Sequence, residues 1–247
     1  MNDEIIVNFV AGNCYSLEID DYFLVFDYDR GVLNIPDDKK TIFFATSKED
    51  GHYSPEILKV ANMDDFTYVL SADIAYSKKD NNVIYLKDNK LSIESLKNLY
   101  QAKNVHFVER DSYLRLGKEV DVTSYSQDQG GVSFFVRVCG FNIFYGGDSY
   151  LLDNNIDKEN IFNYLYRIYD DYEEIDIAFL PLLDKNGGKI YNRAKAFNEI
   201  LQPQIFFPTN FSEDKEVSRA FVAYSEGEDT DIRWIEEDNQ EFVIDLE

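Results

Sequence analysis

The chain has 247 residues, enough to bury a sizeable core in one domain or a tightly merged pair. It is 45% apolar, its 19 Phe and 18 Tyr supply bulk for that core, and its net charge is −23. Such a charge repels nucleic-acid phosphates and anionic lipid heads, so neither is an expected partner, and most of it should form a solvated surface.

Two cysteines, Cys14 and Cys139, sit in apolar runs. Two are too few for a disulfide scaffold and fit small buried hydrophobes in a reducing compartment. The N-terminal Met1-Asn2-Asp3-Glu4 is acidic and lacks the basic and apolar regions of a signal peptide. No apolar stretch approaches the roughly 18 residues that span a bilayer. The expectation is a soluble, cytoplasmic protein.

Taken in chain order, Ile5 to Val10, Cys14 to Ile19 and Tyr22 to Asp27 are β-branched or aromatic runs punctuated by Gly12-Asn13 and Asp20-Asp21. They predict successive antiparallel hairpins. Thr41 to Thr46 (TIFFAT) predicts a strand buried on both faces. Ser54-Pro55-Glu56 predicts the start of a helix running to Val60, with Ser as N-cap and Pro in the first turn. Strands are predicted over Thr67 to Leu70, Val83 to Leu86, Val105 to Glu109, Tyr113 to Leu116 and Glu119 to Ser124, then over Val132 to Val138 and Asn142 to Tyr145 as a hairpin. Ile161, Leu165, Ile168 and Tyr172 give Glu159 to Tyr172 the spacing of an amphipathic helix. Buried strands at Ile175 to Leu180 and Ile205 to Pro208 flank a helix over Arg193 to Leu201. A helix from Glu213 to Ala223 and strands at Ile232 to Ile235 and Glu241 to Leu246 close the chain. Two halves that each run from strands to helices suggest two sheets packed face to face with helices outside.

Five segments, in order, resemble the metallo-β-lactamase superfamily and its small metal-dependent hydrolase branch. Asn8 to Tyr28 is similar to the opening hairpin, and Thr41 to Pro55 to the strand and loop that normally end T-H-x-H-x-D-H. Gly140 to Ser149 (GFNIFYGGDS) is similar to the strand delivering a bridging aspartate, while Ile175 to Pro181 and Gln202 to Phe211 resemble the last two core strands, the latter normally ending P-T-H. The resemblance implies a single domain over 1–247 with a four-layer αβ/βα sandwich, an α+β fold of two facing mixed sheets.

The same alignment shows substituted positions. Ser47 and Glu49 stand where the first two motif histidines would be, Gly51 replaces the aspartate, His52 remains, Asn210 follows Pro208-Thr209, and the 125–129 segment has no histidine. A zinc pair needs several imidazoles and carboxylates at about 2.0–2.2 Å. This chain has two histidines in all, His52 and His106.

The resemblance therefore implies a site built from Glu49, His52, Asp128, Asp148 and Asn210, with Asp148 and His52 as its catalytic pair if any chemistry survives. Each also has a plain alternative. Asp148 follows Gly146-Gly147 and could bond turn amides, His52 could be a hydrogen-bonded loop residue, and Asn210 could bond its own loop. Three functions stay open. In the first, the protein lacks di-zinc hydrolysis and binds a small molecule or regulates. In the second, it is a hydrolase with one divalent ion in a carboxylate-rich site. In the third, it is an assembly module using Tyr164, Tyr166 and Tyr169 as homo-oligomer contacts.

Overall fold

The computed structural model describes residues 4–58, 65–75, 83–86, 89–92, 102–126, 131–148, 158–172, 174–183, 187–211, 214–227 and 229–245. Strands β1 (Glu4–Ala11), β2 (Cys14–Ile19) and β3 (Tyr22–Phe26) form an antiparallel meander. Gly12 and Asp20 take the positive φ (64° and 47°) that two-residue hairpin turns require. The chain then adds β4 (Lys40–Ala45) and β5 (Thr67–Ser71) in parallel, sets β6 (Val83–Leu86) and β7 (Asn89–Ser92) aside as a separate hairpin, and places β8 (Val105–Val108) parallel to β5. The second sheet repeats this plan. Strands β9 (Tyr113–Leu116), β10 (Val120–Ser126), β11 (Val132–Val138) and β12 (Phe141–Tyr145) are antiparallel. Strands β13 (Ile177–Pro181), β14 (Ile205–Thr209) and β15 (Asp231–Ile232) follow in parallel. The last strand, β16 (Gln240–Asp245), returns to the first sheet beside β1. The result is two seven-stranded mixed sheets, β16-β1-β2-β3-β4-β5-β8 and β15-β14-β13-β12-β11-β10-β9.

Alternation along each strand sorts the side chains into layers. Between the sheets, the Phe26 ring stacks on Phe44 and on Tyr145, each at 4.7 Å, and Tyr15 packs on Phe179 at 4.8 Å. Two buried hydroxyls cross the interface: Tyr15 donates to Pro208 O and Tyr145 to Asn13 O, both at 2.6 Å. On the outer face of the second sheet lie α1 (Lys158–Asp171), α2 (Tyr191–Leu201) and α3 (Lys215–Tyr224). Phe197 of α2 reaches Phe144, and Phe221 of α3 reaches Phe206, each at 5.2 Å. The outer face of the first sheet, with Val25, Phe43, Tyr68 and Leu70, is covered by Tyr53, Ile57 and Ile74.

That last layer departs from expectation. Where a helix from Ser54 to Val60 is predicted, the described residues form one 3-10 turn, Pro55–Leu58, and a second, Ala72–Ala75, lies beside it. Residues 59 and 60 lie outside the described set. One turn is enough to seat Ile57 on the sheet, and a segment that short gains little from continuing as an α-helix. The closing strand expected over Ile232 to Ile235 stops at Ile232. Cys14 is buried as expected, but Cys139 is only partly buried. It and Gly140 form the β11–β12 turn, with φ of 52° and 97°, and a reversal at the sheet's end cannot also be core. Tyr164 is partly buried and packs edge-on to Tyr125 at 5.9 Å, whereas Tyr166 and Tyr169 are exposed. Among the described residues no helix is long and apolar enough to cross a membrane.

Phe26 fills the space between the sheets, so Phe26→Ala should cost about 3–5 kcal/mol in urea unfolding. Burial and nearby Asp27 push the Cys14 thiol well above its ordinary range, and burial pushes Cys139 up to about 11. Native protein at pH 7.5 should therefore react with a disulfide reagent far more slowly than free cysteine, and denaturant should release both thiols; rapid native labelling of Cys14 would contradict its burial.

Candidate functional site

The parallel strands of both sheets end on one edge, where sites collect on open sheets. Five consecutive buried residues of β3 end at Asp27, which leaves the strand with φ of 49° and whose side chain is 0% exposed. A carboxylate without water needs partners. Its Oδ1 accepts the Thr46 amide at 2.7 Å, and its Oδ2 accepts the Thr46 hydroxyl at 2.7 Å and His52 Nδ1 at 2.6 Å. Thr46 and His52 lie on the loop after β4, which runs parallel to β3, so the register that pairs Phe26 with Phe44 brings them alongside.

The other face of the His52 ring meets the second sheet. Nε2 lies 3.0 Å from Asp148 Oδ2, just beyond β12; the two side chains are 3% and 39% exposed. The Thr46 carbonyl accepts the Val132 amide at 2.8 Å, joining β4 to β11 at the same edge. Asn13, at the tip of the β1–β2 hairpin, ties two further loops to this edge. Its Nδ2 donates to Gly51 O at 3.2 Å, and its Oδ1 accepts the Asn210 amide at 2.8 Å.

The structure thus brings His52, Asp148 and the Asn210 backbone to one edge. His52 is a buried residue of the loop after β4, hydrogen-bonded to Asp27. Asn210 has φ of 42° and its Nδ2 donates to Leu183 O at 2.9 Å, so its amide nitrogen serves the loop. Ser47 is buried and its Oγ accepts the Glu49 amide at 3.1 Å. Glu49 is exposed on that loop, and Asp128 lies outside the described residues. Sequence reasoning missed Asp27, Thr46 and Asn13. The available signal for Asp27 was a lone carboxylate closing a wholly apolar run.

The Ser47 hydroxyl and the Asn210 amide nitrogen are turned to backbone groups, Gly51 offers no side chain, and both His52 nitrogens face carboxylates. Among the described residues no three His, Cys, Asp or Glu side chains are grouped to hold a metal.

Burial alone would push the His52 imidazole down, but the Asp27 charge and the bonds to Asp148 and Asp27 outweigh it, raising it to about 10. A group held above its ordinary pKa of 6.5 binds more proton folded than unfolded between those values. Its stabilisation is complete below 6.5 and is lost as pH rises through about 10. Thermal unfolding of the metal-free protein should therefore show Tm falling from pH 7 to 10, and His52→Gln should flatten that slope. A parallel slope in the variant would show that the ring is not the titrating group.

No family model matches the sequence, and no curated protein matches it. Solved structures do. The chain is similar to Igni18, a metallo hydrolase from the archaeon Ignicoccus hospitalis, at 10% identity and TM-score 0.65 over 99% of this chain and 100% of that one. It is similar to the metallo-β-lactamase fold protein YhfI from Bacillus subtilis at 12% identity and TM-score 0.60, over 98% and 99% of the two chains. It is also similar to CmlA, a diiron β-hydroxylase from Streptomyces venezuelae, at 11% identity and TM-score 0.60, over 98% of this chain and 54% of that one. Likeness of this extent at such low identity, with two facing mixed sheets, establishes the architecture: the chain has the metallo-β-lactamase fold.

Proposed function

We propose that this protein binds or regulates on a metallo-β-lactamase scaffold and does not hydrolyse through a zinc pair. The observation that carries the reading is the His52 ring, whose two nitrogens lie 2.6 and 3.0 Å from carboxylates of opposite sheets. On this reading the Asp148 carboxylate takes the place at Nε2 that a ligated ion would take. The occupant of the cleft, on this reading, is a small molecule. With Glu49 and Asp50 exposed on the loop that carries His52, the local potential suits neutral or cationic molecules better than anions. Fold alone does not decide chemistry, since the similar structures include both a metallo hydrolase and a diiron hydroxylase.

Similarity to metal-dependent enzymes favours a second reading, a hydrolase with one divalent ion held among Glu49, His52, Asp128 and Asp148. That arrangement requires His52 to exchange a carboxylate for the ion.

Elemental analysis separates the two. The purified protein should carry less than about one zinc per chain; two tightly held transition ions would overturn the proposal. A gain-of-binding variant tests the alignment. Gly51 must be kept, because its φ is 86° and an added β-carbon would sit 3.2 Å from Asn13 Nδ2. The triple variant Ser47→His, Glu49→His, Asn210→His should bind zinc measurably more tightly than the parent in calorimetry. Lost orienting partners, each worth about 10- to 100-fold in affinity, keep it below a native site. Equal affinities in folded proteins would mean that these positions do not face one point.

A further inference from the structure

The edge of a sheet leaves a row of backbone amides and carbonyls without a ladder, ready to pair with another strand. The second sheet ends at β9, and among the described residues no strand lies beyond it. Its pairing with β10 fixes which groups point outward. Ser124 N donates to Ser112 O at 2.9 Å. By alternation Ser112, Leu114 and Leu116 bond β10, while Tyr113 and Arg115 turn their amides and carbonyls away from the sheet. Those two residues also carry exposed side chains on one face, Tyr113 at 61% and Arg115 at 57%. Asp121 accepts the Tyr113 hydroxyl and lies 3.7 Å from Arg115 Nε, which holds both on that face. Leu114 and Leu116, on the other face, are partly buried against the core. We propose that β9 pairs antiparallel with β9 of a second copy of this chain, across a twofold axis at Leu114.

The register follows from the side chains. Centring the pair on Leu114 sets Tyr113 opposite the partner's Arg115, and by symmetry Arg115 opposite the partner's Tyr113. Both members of each pair have outward backbone groups, so each pair exchanges both of its backbone hydrogen bonds, and each ring lies beside a guanidinium. Centring on Arg115 instead would oppose two guanidiniums. Centring on Tyr113 would need the strand to run through Asp111, whose φ of 54° breaks it. The other edge strands of the two sheets, β8, β15 and β16, carry no arginine or lysine to meet a ring. The net charge of −23 on each copy opposes association, so the dimer is weak and strengthens as salt screens that repulsion.

Sedimentation velocity on the full chain, from micromolar to millimolar protein, should show a monomer–dimer equilibrium that salt shifts toward dimer. Tyr113→Lys sets a lysine against the partner's Arg115 and should weaken dimerisation by about tenfold. Adding Arg115→Glu should restore it, because each lysine then meets a glutamate. A cross-link reads the register independently. In a Cys139→Ser background, Leu114→Cys should give a disulfide-linked dimer on mild oxidation, because directly opposed residues outside the hydrogen-bonded pairs have α-carbons about 4.5 Å apart. Leu116→Cys, opposite the partner's Ser112, should not. A chain that stays monomeric throughout, as it would if this edge received another protein's strand, overturns the proposal. So does a dimer that Tyr113→Lys leaves intact or that Leu114→Cys fails to link.

Discussion

Asp27 places a carboxylate at the end of five buried apolar residues, with no exposure to water. Removing a charge from water costs far more than any single contact returns, so the groups around it are constrained as a set. The Thr46 amide and hydroxyl and the His52 ring all converge on its two oxygens. Each comes from the loop after β4, whose path is therefore dictated by where Asp27 lies. His52 then presents its second nitrogen to Asp148, which fixes where the chain leaves β12 relative to the first sheet. The edge at which the sheets meet is organised outward from one buried charge.

The neighbouring loops follow a similar logic with neutral groups. Asn13 sits at a hairpin tip, where a turn residue would ordinarily face solvent. Instead its side chain serves Gly51 and Asn210, and its carbonyl accepts the Tyr145 hydroxyl. Three loops far apart in the chain share one amide. With Tyr15 bonded to Pro208, the first hairpin is joined to the second sheet by hydrogen bonds as well as by aromatic packing.

Much of this fold was legible because strand burial leaves a direct mark on residue type. Thr41 to Thr46, Val132 to Val138 and Ile205 to Pro208 could each be read as apolar runs of strand length, and each is a strand. The amphipathic spacing of Ile161 to Tyr172 identified the first helix within a residue at each end. Short elements were harder. Ser54-Pro55-Glu56 carries the cap and proline of a helix start, but seating Ile57 takes only one turn. In the site, Asp148 and His52 could be picked out by resemblance and by position. Asp27 was passed over, because a lone carboxylate closing an apolar run does not by itself mark a buried ion. What makes it a buried ion is the parallel register of β4, a non-local pairing. Asn13 was hidden for the same reason: its partner Asn210 is 197 residues away in sequence.

The energetics of substitution at this edge are unequal. The aromatic layer between the sheets does not involve Ser47, Glu49 or Asn210, so changing those side chains costs the scaffold less than losing a core ring, whereas Gly51 is held by its positive φ. Asp27, Thr46 and His52 are different. Taking away one partner of a buried charge leaves the other uncompensated, at about 3–5 kcal/mol, a large part of a typical domain's stability. A histidine that partners a buried aspartate is held in place by folding itself.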